Sequence, residues 1–139
     1  MKAVMDTRFF INSLTTQDEQ FKKWSKGILQ TLQTKANLGI IPSIVIHEFY
    51  KFHFENLGRE VAELRVNSLL KLDLKIVDFN VLIAIEAAKL RCKYVELPTA
   101  DAIIAATAIL MGSDYVITDD KHIKQIKETK TKWILAVFG

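Results

Sequence analysis

Acidic residues at intervals are the part of this sequence with chemical potential: Asp6, Glu48, Asp101 and the pair Asp119–Asp120. Taken singly, each has an ordinary explanation. Asp6 is a turn acid, Glu48 an acid on a helix face, Asp101 a first-turn acid facing free N–H groups, and Asp119–Asp120 a turn. Brought together, they form a different object. Two carboxylates about 4 Å apart repel by about 4 kcal/mol at an effective dielectric near 20. A group of four is therefore tolerated only if some stay protonated or a cation sits among them. Oxygen-only donors select hard divalent ions, Mg²⁺ or Mn²⁺. Such an ion keeps waters and lowers their pKa, and phosphate oxygens complete its coordination. The chemistry expected is phosphodiester hydrolysis by a metal-activated water.

The elements between these acids determine whether they meet. Lys2 to Met5 reads as a strand ending at Asp6, and Thr7 to Leu14 as a short helix or turn. A longer helix begins at Asp18, with Phe21, Trp24, Ile28, Leu29 and Leu32 at helical spacing. Leu38 to Ile41 is a second strand. Pro42 and Ser43 open a helix with Ser43 as its cap, and Glu48 sits among apolar neighbours, where an unpaired carboxylate is costly. Arg59 to Lys71 reads as a helix burying Val61, Leu64, Leu69 and Leu70, and Leu74 to Val77 as a third strand. Asp78 is the expected cap of a helix reaching about Cys92, with Leu82, Ile85, Ala88 and Leu90 inward.

Thr99 is the expected cap of an Ala-rich helix, and Gly112 suits the left-handed residue that ends one. Tyr115 to Ile117 is a buried strand, followed by Thr118, Asp119 and Asp120. Lys121 to Lys130 is a basic helix or turn, and Trp133 to Val137 the last strand. Strands alternating with helices predict an α/β fold with a parallel sheet, and the short loops suit a three-layer α/β/α sandwich. Sites in such sheets lie beyond the carboxyl ends of strands, near a switch in strand order. Asp6 and Asp119/Asp120 both end strands, so the acids can converge on one edge.

Composition narrows the classes. The 139 residues are half apolar, enough for one domain with a core, and residues 1–139 are read as that domain. One cysteine, Cys92, excludes a disulfide framework or a cysteine zinc site and suits a reducing cytoplasm. The segment MKAVMDTRFF is no secretory signal, and the longest apolar run is too short to span a bilayer, so no membrane is expected. A formal charge of +3 is compatible with a polyanionic partner. There is no G-x-S-x-G elbow for serine hydrolysis and no glycine-rich phosphate loop after Asp6. His47 reads as helix surface or as support behind the site, His122, just past Asp120, as surface before substrate contact, and none of the three histidines forms a zinc-spaced pair. Lys121, Lys124, Lys127, Lys130 and Lys132 read equally as a solvated face or as a phosphate-tracking rim.

Four segments carry a family resemblance: VMDTRFFI, IPSIVIHEFYKF, TADAIIAATAILMGSDYVITDDKHI and, at its end, VITDD. The chain resembles a PIN-domain protein, most closely a VapC-type toxin ribonuclease, over nearly its whole length. The resemblance implies a PIN-like (Rossmann-like) sheet of about five strands. It implies Mg²⁺- or Mn²⁺-dependent endoribonuclease activity leaving a 5′-phosphate, a small antitoxin partner and a homodimer. Asp6, Glu48 and Asp101 match the first three family acids. The fourth stands two residues after the threonine, which selects Asp120 over Asp119. Asp6, Asp101 and Asp120 are then the metal ligands, with Glu48 bound directly or through water and Asp119 a further candidate. Thr118 is expected to orient Asp6 or a metal water. Arg8 replaces the small polar residue many members carry, and is expected to pair with a site acid or touch RNA phosphate. Ser43 joins them as a supporting residue. Alternatives within the resemblance are an RNA-processing nuclease that is not a toxin and a PIN domain that binds RNA but cleaves weakly. The aromatics Phe9, Phe10, Trp24, Phe49, Tyr50, Phe52 and Phe54 are expected in the core, some remaining exposed for a partner.

Overall fold

Ala3, Val4 and Met5 are wholly buried, which marks strand β1 (Lys2–Met5) as central. The computed structural model describes residues 1–134. Its sheet has five parallel strands in the order β3-β2-β1-β4-β5, where β2 is Leu38–Pro42, β3 Lys75–Val77, β4 Tyr115–Ile117 and β5 Thr131–Lys132. The chain first moves from β1 outward to β3, then returns across the sheet to β4 and β5. Right-handed crossovers place the helices of these two excursions on opposite faces. The α/β sandwich expected from the alternation is therefore present.

The helices α1 (Thr7–Thr15), α2 (Glu19–Leu32), α3 (Ser43–Leu57) and α4 (Arg59–Leu70) belong to the first excursion. Asp18 caps α2 as expected, its side chain accepting from the Gln20 N–H. Gly39 lets α2 lie close to β2: a Cβ there would come within 3.1 Å of the Leu32 Cβ and 2.5 Å of the Leu74 Cδ2. The second excursion holds α5 (Val81–Lys93), α6 (Thr99–Leu110) and the one-turn α7 (Lys121–Lys124). Residues Ala102 to Ala108 of α6 are all buried, because one side meets the sheet and the other meets α5. Gly112, at φ +62°, terminates α6. Its N–H donates to the Ile109 carbonyl and that of Ser113 to the Ala108 carbonyl, a Schellman arrangement.

Several local expectations are corrected. Ser43 is the first residue of α3, not its cap, and its hydroxyl instead accepts from the Phe79 N–H at 3.0 Å. Thr99 is likewise the first residue of α6, behind Pro98. Asn80, not Asp78, caps α5 by accepting from Ile83 N–H at 2.9 Å. The buried stripe of α5 is Ile83, Ala87 and Leu90, leaving Leu82, Ile85 and Ala88 exposed. Both stripes have helical spacing. Ala87 belongs to the one that wins, since a small residue admits the Ala-rich face of α6. In α4, Ala62 and Leu69 are buried while Leu64 and Leu70 are exposed. The last strand of the described residues, β5, precedes the expected Trp133–Val137, of which 135–137 lie outside the described residues. Trp133 instead packs its ring 5.3–6.3 Å from those of Phe9, Phe21 and Trp24. The basic segment is helical only over Lys121–Lys124. Among the core aromatics, Phe9, Phe10 and Phe49 are buried and Phe54 is exposed. No helix among the described residues is long and apolar enough to cross a membrane.

Candidate active site

Strand order switches direction between β1 and β4, and the carboxyl ends of these two strands form the site. The Asp6 N–H continues the ladder by donating to the Ile117 carbonyl at 3.2 Å. This holds Asp6 and Thr118 side by side. The Thr118 hydroxyl, fully buried, donates to Asp6 Oδ2 at 2.5 Å and accepts from the Asp120 N–H at 3.0 Å. One threonine thus contacts two acids, where the sequence suggested only Asp6 or a metal water.

Glu48 reaches the same place from the second turn of α3, where Thr7 Oγ1 donates to its Oε1 at 2.7 Å. Asp101, in the first turn of α6, completes the set. Asp6, Glu48, Asp101 and Asp120 line one cleft, with Thr7, Arg8, His47 and Lys51 among its other walls. The four are spread along most of the chain, and only the sheet edge brings them together.

The electrostatics match the crowding. Burial pushes the Asp6 carboxyl up from 3.8 to about 6. The Thr118 and Thr7 hydrogen bonds oppose the shift, and Glu48 and Asp120 add repulsion. Asp101 rises to about 7, first through burial and then through Asp120, Asp6 and Glu48 in turn, with His122 opposing. A site of this kind favours either protons or a cation. The donor set fits a hard divalent cation: carboxylate oxygens converge in an accessible cleft, and their mutual repulsion is relieved by positive charge. Asp101, Asp120 and His122 each offer one ligand atom within 4.8 Å of the others.

The PIN-domain family model matches residues 3–129. The chain belongs to the PIN-domain family. Among solved structures, VapBC2 from Rickettsia felis, bound to a promoter DNA fragment, is similar to this PIN domain with a TM-score of 0.78 at 20% identity. That alignment covers 96% of this chain and 98% of the other. DNA-bound VapBC from Salmonella typhimurium gives 0.77 at 18% identity, over 96% and 98% of the two chains. VapC20 from Mycobacterium tuberculosis, described as a sarcin-ricin loop cleaving toxin, gives 0.71 at 14% identity, over 88% and 93%. The likeness to these toxin–antitoxin structures is one of fold. Comparison with curated proteins finds no match.

Within this PIN domain the two adjacent aspartates part company. Asp120 turns into the cleft and also caps α7, its Oδ1 accepting from the His122 N–H at 2.8 Å. Asp119 does not line the cleft. Its carboxylate is clasped by Arg8, with Nε donating to Oδ1 at 2.6 Å and the guanidinium NH₂ to Oδ2 at 3.3 Å. That pair holds the Arg8 guanidinium firmly charged, its pKa raised chiefly by the Asp119 hydrogen bond. Ser43 is not a cleft residue either; it ties α3 to the segment after β3. His122, expected at the surface before substrate contact, is partly exposed and stands beside two of the acids. Its Nδ1 lies 3.3 Å from Asp120 Oδ1 and 3.8 Å from Asp101 Oδ2. The signal was the Asp120-Lys121-His122 spacing at the start of a helix, which puts the imidazole back over its own cap.

Proposed function

We propose that this PIN domain is a Mg²⁺- or Mn²⁺-dependent endoribonuclease, the toxin of a toxin–antitoxin pair. The observation that carries the reading is the convergence of Asp6, Glu48, Asp101 and Asp120 in one cleft at the strand switch. Membership of a nuclease family and a full acid set speak against a PIN domain that merely binds RNA.

A divalent ion bound in this cluster would supply Lewis acidity, acidifying water and offsetting the charge of a phosphodiester. Asp6, Asp101 and Asp120 would hold it, with Glu48 joining directly or through water. Thr118 fixes the rotamers that point Asp6 inward and holds the backbone of Asp120. Thr7 does the same for Glu48. Arg8 and Lys51 stand on the cleft wall, each paired with an acid, Arg8 with Asp119 and Lys51 with Glu55. Hydrolysis adds water across the P–O3′ bond and leaves a 5′-phosphate and a 3′-hydroxyl. The VapBC and FitAB structures of similar fold support a small antitoxin partner for this chain, and a homodimer is proposed from the family resemblance alone.

The decisive experiment is RNA cleavage by purified Asp6→Asn and Asp101→Asn proteins with Mg²⁺ or Mn²⁺. Each substitution keeps side-chain shape, and each abolishes cleavage while the far-ultraviolet circular dichroism stays that of the wild type. Full activity in both overturns the assignment.

A further inference from the structure

Oxygen-only coordination is the reading of the acids alone, but the folded site contains a nitrogen donor. His122 stands in α7, two residues after Asp120, and turns its Nδ1 toward both Asp120 and Asp101. The separations are 3.3 Å to Asp120 Oδ1 and 3.8 Å to Asp101 Oδ2. Both exceed the usual length of an N–H···O hydrogen bond. They resemble the spacing of neighbouring ligands on one ion: donors about 2.1 Å from an octahedral centre lie about 3 Å apart at right angles. The three ligand atoms lie within 4.8 Å of one another. The His122 side chain is 33% exposed, so the site is open to an entering ion.

Resting on the nuclease reading above, we infer that His122 Nδ1 is a ligand of the divalent metal together with Asp101 and Asp120. The consequence is selectivity. Carboxylates and water suit Mg²⁺, whereas an imidazole favours transition ions, whose affinities rise from Mn²⁺ along the first row. The site therefore prefers Mn²⁺ over Mg²⁺ through this one side chain. His122 does this without altering the four acids. His47 lines the cleft but is not part of the Asp101–Asp120 ligand group, and His53 is buried with its Nδ1 against the Phe49 carbonyl.

The test is pulsed electron paramagnetic resonance on the Mn²⁺-loaded full chain, with natural-abundance and ¹⁵N-histidine protein, beside calorimetric titration with Mn²⁺ and Mg²⁺. The wild type shows a directly bound imidazole nitrogen whose coupling changes on ¹⁵N-histidine labelling. His122→Gln loses that coupling and about tenfold or more of its Mn²⁺ affinity, while Mg²⁺ affinity changes less. His47→Gln retains the coupling. Bound Mn²⁺ with no histidine coupling in the wild type, or coupling that is lost in His47→Gln or survives in His122→Gln, overturns the His122 assignment and leaves the acid site standing. Absence of any Mn²⁺ or Mg²⁺ binding overturns both readings. Should His122→Gln not fold, the labelled wild-type and His47→Gln spectra decide, since His53 lies outside the cleft.

Discussion

Thr118 shows how one side chain of ordinary chemistry supports a demanding site. Its hydroxyl is buried, spent on Asp6 as donor and on the Asp120 N–H as acceptor. Thr118→Val preserves shape and leaves both partners short of a hydrogen bond, so unfolding in urea should show a loss of about 1–3 kcal/mol. An unchanged midpoint would mean water replaces the hydroxyl. The acids themselves carry a pH signature. Asp6 and Asp101, at about 6 and about 7, hold protons in the folded chain that the unfolded chain has released. Metal-free stability therefore falls as pH rises from about 4 to about 7, and shows no such loss at lower pH where both states are protonated. For Asp6, moving from 3.8 to about 6 corresponds to about 3 kcal/mol. In EDTA, Asp6→Asn should be more stable than the wild type at pH 7 and lose that advantage at pH 4; with Mn²⁺ at pH 7 the wild type should regain ground. Urea titrations across this range read both effects.

At the scale of elements, small residues decide how closely layers approach. Gly39 lies in β2 under Leu32 of α2, and an added methyl meets Leu32 at 3.1 Å and Leu74 at 2.5 Å. Gly39→Ala is expected to cost about 1–3 kcal/mol by overpacking. Gly27, inside α2, has open space where a methyl would stand, with nothing within 4 Å, so Gly27→Ala should stabilise by about 0.5–1 kcal/mol through helix propensity. Equal melting temperatures for the two variants would contradict the packing described. The same logic explains the misread faces. Periodicity offered α5 a stripe through Leu82 and Ile85, but the partner surface of α6 is built of Ala102, Ala105 and Ala106, and Ala87 fits it. Ser43 and Thr99 have the chemistry of caps, yet a proline precedes each and takes the cap position, leaving them inside the first turn.

For the whole molecule, charge is divided. The net charge is +3, yet the cleft concentrates acids. Lys121, Lys124, Lys127 and Lys130 remain exposed on the segment that follows Asp120. That segment serves as the phosphate-tracking rim if RNA binding responds to it. Each phosphate contact contributes about 0.7 to the slope of log affinity against log salt for a single strand. Measured with the non-cleaving Asp101→Asn protein, a Lys121→Ala/Lys124→Ala substitution should lower that slope by about 1.4 and weaken binding alike for unrelated sequences. An unchanged slope assigns these lysines to solvation alone.

Much of this was legible along the chain. Strand–helix alternation determined the parallel sheet, because apolar period and turn chemistry are local. The candidate acids were legible too, Asp6 after a strand and Asp101 at a helix start, with Asp120 preferred to Asp119 through the family resemblance alone. What the chain could not display was direction in space. Asp119 and Asp120 are neighbours of one chemistry, and only the fold shows that Asp119 pairs with Arg8, brought alongside by the pairing of β1 with β4, while Asp120 lines the cleft. His122 looked like surface because its acid neighbour Asp101 is distant in sequence and arrives through α6. Side-chain destination depends on which surfaces meet across the fold, and that is settled by tertiary packing.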